Sequence, residues 1–262
     1  MTFAEKYDYF IFDLDGTIYR GEHLIPYADN VINQLKAFGK KIVFVSNKTT
    51  GTAKDYFTLL KNWGLNVKEN DVINATIVVK NYLEQNFNSD KFFAIGEDSF
   101  IQEIKKSGLK FSINPDEVKL VLVTLDRTLN YQKLEIAARA LENGAKFFAA
   151  NIDDTCPVDN GEVIDAGSTI SALEKRTHRK LELHFGKPSE FMFNEIKNHL
   201  QFIPEKTLLI GDRIETDITM GNKFGIDTAL VSTGVKYFPN GIGSIVPTYQ
   251  LNSVFDLLNH KT

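Results

Sequence analysis

Four short stretches hold residues whose types and spacing can do chemistry together. They are D-L-D-G-T at 13–17, V-S-N-K-T at 45–49, F-G-K-P at 185–188 and L-I-G-D-R-I-E-T-D at 209–217. Two aspartates one residue apart, followed by glycine, suit a tight turn after a strand. They equally suit phosphoryl transfer, which needs a nucleophile or activated water, a cation for the non-bridging oxygens and a proton donor for the leaving oxygen. Asp13 can attack as a carboxylate and divide a hydrolysis into two steps through an acyl phosphate. Asp15, slightly further out, can protonate what leaves. Gly16 lets the backbone turn and approach a phosphate closely. Two carboxylates and a phosphoryl group share a small space only if positive charge enters. Asp212 offers a third oxygen ligand for a hard cation, and Mg2+ suits a few carboxylates, a phosphate oxygen and water. Lys187 offers a fixed charge near nucleophile and phosphate, with Pro188 stiffening its loop; on its own it reads equally as a surface lysine. Ser46 fits either a hydroxyl donor to the phosphoryl group or a helix N-cap, and Asn47 is the natural second donor. Asp217 either caps a helix or supports Lys187 and the metal loop from behind.

Such residues need elements that carry distant segments to one edge. Y-F-I-F-D, K-I-V-F-V-S-N, K-L-V-L-V-T-L-D, K-F-F-A-A-N, T-L-L-I-G-D and T-A-L-V-S-T-G are short apolar runs without alternation, the pattern of strands buried on both faces. Between them, A-D-N-V-I-N-Q-L-K-A-F-G-K puts Val31, Leu35 and Phe38 on one helical face, with Gly39 as its stop. T-A-K-D-Y-F-T-L-L-K-N-W-G repeats the design and ends at Gly64. The fold class is α/β. Open parallel sheets bind ligands beyond the carboxyl ends of their strands, where Asp13, Ser46 with Asn47, Asp126 and Asp212 fall. A helix over 75–87 is followed from Lys91 by a second βα series, closed by a helix-like S-T-I-S-A-L-E-K-R at 168–176. R-K-L-E-L-H-F-G-K-P is expected to rejoin the first series. The expected organisation is a core of residues 1–87 and 181–262 with an inserted domain at 88–180.

Bulk properties narrow the partners. A net charge of −4 and a pI near 5.8 give no basic footprint for nucleic acid or an anionic membrane. Cys156 is the only cysteine, so neither an internal disulfide nor a cysteine-based zinc cluster can form. The histidines lack ligand spacing. No apolar stretch reaches the roughly 20 residues that span a bilayer, and the first residues lack a signal-peptide pattern; a cytoplasmic location is expected.

The order D-x-D-G-T, S-N, G-K-P, G-D-x-x-x-T-D resembles the haloacid dehalogenase-like hydrolase superfamily, and more narrowly its NagD-like, 4-nitrophenylphosphatase branch. D-L-D-G-T-I-Y-R-G is similar to D-L-D-G-V-L-Y-R-G, and G-D-R-I-E-T-D-I to G-D-R-L-D-T-D-I. The likeness extends into the insertion, where T-L-D-R-T-L-N-Y-Q-K-L is similar to G-L-D-R-x-x-x-Y-x-K-L. D-A-G-S-T-I-S-A-L-E-K likewise resembles G-A-G-S-I-x-A-A-L-E. The resemblance implies a Rossmann-like doubly wound parallel sheet with a smaller α/β cap over the site. It implies Mg2+-dependent hydrolysis of phosphate monoesters of small metabolites through an aspartyl-phosphate, with p-nitrophenyl phosphate as an artificial substrate. Carried over by motif, Asp13 is nucleophile and metal ligand, and Asp15 is acid/base and a ligand through its carbonyl. Asp212 is the third ligand, and Ser46, Asn47 and Lys187 hold the phosphoryl group. The same core also serves phosphotransferases and mutases, and a receiver-like phospho-aspartate switch is the non-enzymatic alternative. A cap-mediated homodimer is left open by the branch. Departures are modest: Ser46 replaces threonine, and A-N-I-D at 150–153 replaces T-N-P-D. Asp126 and Arg127 either meet the substrate or are salt-bridged for structure.

Overall fold

Phe10 and Phe12 of the Tyr9–Asp13 strand pack into one apolar cluster, while Ile11 between them packs into another. Ile42 and Phe44 divide from Val43 and Val45 in the Lys41–Ser46 strand in the same way, and Leu208 and Ile210 from Leu209 in Thr207–Gly211. Side chains alternate across a strand, so an unbroken apolar run records burial on both faces. The computed structural model describes residues 2–158, 161–234 and 245–259. Among these, the first sheet has six parallel strands in the order Tyr249–Leu251, Asp227–Val231, Thr207–Gly211, Tyr9–Asp13, Lys41–Ser46, Val72–Asn74. The Tyr9–Asp13 strand lies centrally, and its neighbours deliver Ser46 on one side and Gly211, just before Asp212, on the other.

The flanking helices follow the expected signals. Ala28–Ala37 buries Val31 and Leu35, and Gly39 adopts φ 76° just beyond it. Phe38 departs from its expected place on the buried face. The helix ends at Ala37, and Phe38, one position past the last helical residue, is 61% exposed. Ala53–Asn62 opens on a reciprocal pair of hydrogen bonds between Thr52 and Asp55 and is followed by Gly64 at φ 84°. Ala75–Asn86 is capped by Asn74, whose side chain accepts from the Ile77 N–H.

The second sheet is also parallel, in the order Leu183–His184, Lys146–Ala149, Leu120–Val123, Lys91–Ile95, Lys110–Phe111. One apolar cluster joins the two sheets, running from Ile11 and Val43 to Phe92, Leu120, Phe148 and Phe185. Phe185 is fully buried against Tyr82, Phe148 and Phe191, and burial of a side chain of this size is worth about 1.5–3 kcal/mol. The stretch L-E-L-H differs from expectation. It does not pair with the first series but forms an edge strand of the second, Leu183 opposite Phe148 and His184 opposite Ala149. A two-residue strand holds too few side chains to declare its partner, since pairing depends on the neighbour as much as on the strand. Pairing with the second sheet persists to Gly186, whose N–H donates to Ala150 O at 2.6 Å. The next residue, Lys187, donates its own N–H to Asn47 Oδ1 of the first sheet's edge at 2.7 Å.

Candidate active site

Three strand ends and two loops converge at the carboxyl edge of the first sheet. Asp13 closes the central strand, and the chain then turns through Gly16 at φ 86°. A Cβ on Gly16 would meet the Asp212 carboxylate and lie 2.8 Å from Gly234 Cα, so glycine alone lets this loop lie against Asp212. After Asp212 the chain makes a π-helical turn, Ile214–Ile218, which returns Asp217 towards the strand end. A side chain at Gly211 would collide with the Asp217 carboxylate. Ser189 then fixes the Lys187 loop from the other side: its hydroxyl donates to Phe185 O at 2.7 Å and accepts from Met192 N at 3.2 Å, opening the Glu190–Leu200 helix.

Lys187 is the hub. Its ammonium, 3% exposed, lies 2.5 Å from Asp13 Oδ1 and 2.6 Å from Asp217 Oδ1, with Val45 O at 3.4 Å. Carboxylate oxygens of Asp13, Asp212 and Asp217, all buried, lie within 4.8 Å of one another. The crowding of three carboxylates around one ammonium appears in the acidity of Asp13. Burial pushes the Asp13 carboxyl well above the ordinary range; Lys187 pulls it back, and Asp217 and Asp212 push it further up. Burial alone would lower the Lys187 ammonium, but Asp13 and Asp217 outweigh it and hold the proton more firmly than usual. Asp13 Oδ2 is buried and takes no hydrogen bond among the described residues. Both Asp217 oxygens are engaged, Oδ1 by Lys187 and Oδ2 by the Arg213 N–H at 3.1 Å.

Asp15 sits beside this cluster, not in it. Tyr19 donates its hydroxyl to Asp15 Oδ2 at 2.8 Å, and Lys48 Nζ lies 3.0 Å from Oδ1. Lys48 is raised despite its burial, because Asp15 faces it. Ser46 is 2% exposed, and its oxygen accepts the Lys48 N–H at 3.1 Å. Asn47 binds the Lys187 backbone and the Asp153 side chain at once: it donates to Asp153 Oδ2 at 2.8 Å and to Lys187 O at 3.2 Å, and accepts from Lys187 N.

The seven residues of the four motifs, Asp13, Asp15, Ser46, Asn47, Lys187, Asp212 and Asp217, line one cleft. The chain after the Lys146–Ala149 strand of the second sheet supplies its other wall: Asp153, the Thr155–Pro157 segment of an antiparallel hairpin, and Asp165. Arg213 spans the gap, donating to Thr155 O at 3.0 Å and lying 3.7 Å from Asp153 Oδ1. Asp126 and Arg127 are engaged elsewhere, Asp126 with Lys133 at 2.6 Å and Arg127 with Glu97 at 2.6 Å. Burial pushes the Cys156 thiol up to about 12, against the pull of Lys48, so it is no nucleophile at neutral pH. Lys48, Tyr19, Arg213 and Asp165 were not singled out by sequence. Lys48 and Arg213 adjoin motif residues, but adjacency does not tell which way a side chain points.

The haloacid dehalogenase-like hydrolase family model matches residues 10–110, and a second, HAD-hydrolase-like model matches 184–257. The sugar-phosphatase AraL of Bacillus subtilis is 33% identical over 94% of this chain and 90% of its own. Among solved structures, a 4-nitrophenylphosphatase from Thermotoga maritima superposes with a TM-score of 0.88 at 28% identity, covering 99% of each chain. A glycerol phosphate phosphatase from Mycobacterium tuberculosis in complex with magnesium superposes at 0.86, 26% identical over 98% of this chain and 78% of that one. Among the described residues no helix is long and apolar enough to cross a membrane.

Proposed function

Because the chain belongs to the haloacid dehalogenase-like hydrolases and is a phosphoric monoester hydrolase, we propose that it hydrolyses small phosphorylated metabolites through an aspartyl-phosphate on Asp13, with Mg2+ bound. The observation that carries this reading is the buried pairing of Asp13 with Lys187 at 2.5 Å, beside a second acid, Asp15, held at the mouth of the same cleft. The donor set fits a hard cation. Asp13 Oδ2 is buried without a hydrogen-bond donor among the described residues, and a carboxylate oxygen of Asp212 stands within 4.8 Å of an Asp13 oxygen. Asp217, both of whose oxygens are engaged, would hold Lys187, while the family resemblance assigns the ion to Asp13, Asp212 and the Asp15 carbonyl. When bound, the ion supplies positive charge to the non-bridging phosphoryl oxygens and to the crowded carboxylates.

The chain's own residues do the rest. Asp13 forms a bond to phosphorus as the ester P–O bond breaks, and Asp15 gives its proton to the departing oxygen. A water molecule then attacks the aspartyl-phosphate; its proton goes to Asp15, and Asp13 is released as carboxylate. Lys187 keeps its proton throughout and, with the Ser46 hydroxyl and the Asn47 side chain, holds the phosphoryl group in line. Residues 88–180 serve as a cap, through which Asp153 and the Thr155–Pro157 segment close the leaving-group side.

Phosphate release from p-nitrophenyl phosphate is expected to stop on chelation with EDTA and return with added Mg2+; full activity after exhaustive chelation would overturn the metal assignment. Asp15→Asn is expected to slow alkyl phosphates at least tenfold more than p-nitrophenyl phosphate, because nitrophenolate leaves with little help from a proton. Equal losses on both substrates would remove Asp15 as the leaving-group acid.

A further inference from the structure

Building on that hydrolase reading, we propose that Asp165 selects the leaving group: its carboxylate accepts a hydroxyl of a neutral polyol or sugar and disfavours a leaving group that carries its own carboxylate. Asp165 follows the exposed Gly161–Ile164 strand and opens the Ala166–Thr177 helix. It is 7% exposed and lines the cleft that holds Asp13. Both of its side-chain hydrogen bonds fall on one oxygen: Oδ1 accepts from Asn151 Nδ2 at 3.0 Å and from the Ala166 N–H at 2.5 Å. Oδ2 takes none among the described residues, and the cation that acts on the group there, Arg213, does so from beyond ion-pair distance. Lys48 is committed to Asp15, and Arg213 to Asp153 and Thr155 O.

Position is fixed as well as charge. Asp165 N–H donates to Asp154 O at 3.0 Å, Gly167 N–H to Asp153 O at 2.8 Å, and a Cβ at Gly167 would lie 2.7 Å from Ile152 O. The helix start is therefore seated tightly on the 151–154 loop, and a rigidly held acceptor discriminates well. Burial and the neighbouring Asp153 push the Asp165 carboxyl up to about 6, while Asn151 draws it back; at neutral pH it is mostly an acceptor. A carboxylate on the leaving group would add a third negative charge beside Asp153 and Asp165. An ammonium would meet Lys48 and Arg213, which line the same cleft from the first sheet's side. A neutral hydroxyl meets neither penalty.

The test compares kcat/KM, with Mg2+ present, for glycerol 3-phosphate, glucose 6-phosphate, 2-phosphoglycolate and p-nitrophenyl phosphate. Wild-type protein is expected to favour the two hydroxylated esters over 2-phosphoglycolate. Asp165→Asn keeps an oxygen for Asn151 and Ala166 but turns the other position into a donor. It is expected to lower the ratio of hydroxylated ester to 2-phosphoglycolate about tenfold or more, the scale of a hydrogen bond to a charged group, chiefly through KM. Asp165→Ser repeats the measurement if the asparagine variant does not fold. A wild-type preference for 2-phosphoglycolate, or ratios in both variants within twofold of wild type, would overturn the proposal while leaving the hydrolase reading intact. Absence of phosphate release from every substrate, p-nitrophenyl phosphate included, would overturn both.

Discussion

Asp13→Asn is expected to lower phosphate release by a factor on the order of 10⁴–10⁶, the scale seen when a nucleophile is removed from an otherwise intact site, while leaving the protein no less stable. The two halves of this result have one cause. Asp13 is buried among Asp212, Asp217 and Lys187, and its carboxyl is pushed well above the ordinary range, so its charge costs stability that the amide does not. Lys187 keeps Asp217 as its partner, and an amide oxygen can still accept its hydrogen bond. Turnover of p-nitrophenyl phosphate at saturating Mg2+ gives the first half, and thermal unfolding in EDTA gives the second. Wild-type turnover would remove Asp13 as nucleophile. A melting temperature lower by several degrees would show that the ionised carboxylate contributes to the fold and does not strain it.

Lys187→Met is expected to be the most destabilising single change at the site, by about 3–5 kcal/mol in the absence of divalent ions, with activity lost as well. The substitution leaves Asp13 and Asp217 buried without their shared ammonium. The penalty has a definite pH sign. A carboxyl whose pKa is higher in the folded than in the unfolded state favours folding as pH falls, because the folded form then takes up the proton more readily. The loss should therefore shrink on acidification and be largest at neutral pH and above. Added Mg2+ should recover part of it, and by more than it stabilises wild type, since a cation that binds only the folded form stabilises by mass action. Denaturant unfolding at two pH values, with and without Mg2+, measures all three effects. A variant as stable as wild type at neutral pH in EDTA would show that the buried ion group is not what holds these loops.

The sequence made some of this legible for reasons the structure explains. Asp13, Ser46 and Asp212 could be read because each follows an apolar run buried on both faces, and neighbouring parallel strands bring their carboxyl ends together. The same reasoning placed Asp126 with them, yet Asp126 follows the Leu120–Val123 strand of the other sheet. Other ends of that sheet do reach the site, Lys187 after Leu183–His184 and Asp153 after Lys146–Ala149, and a run of residues declares neither its sheet nor its place in it. Phe38 shows a second limit, since one position past the end of a helix turns a buried face into an exposed one. Lys187 and Asp217 were legible only through motif resemblance, because a buried lysine between two aspartates looks on paper like three surface charges. The Lys48–Asp15, Tyr19–Asp15 and Arg213–Asp153 pairings span 4 to 60 positions and rest on side-chain directions that neither periodicity nor composition encodes.

The chain passes from one sheet to the other within a single peptide unit, Gly186 bonded to Ala150 and Lys187 to Asn47. Mechanically, that unit is a fulcrum. If the second sheet tilts against the first about this unit, atoms move in proportion to their distance from it, so the far edge strand Lys110–Phe111 travels furthest. Lys187, at the fulcrum, hardly moves. Such a tilt would also shear the apolar cluster that the two sheets share, so the packing that joins the sheets and the bond that seats Lys187 resist it together.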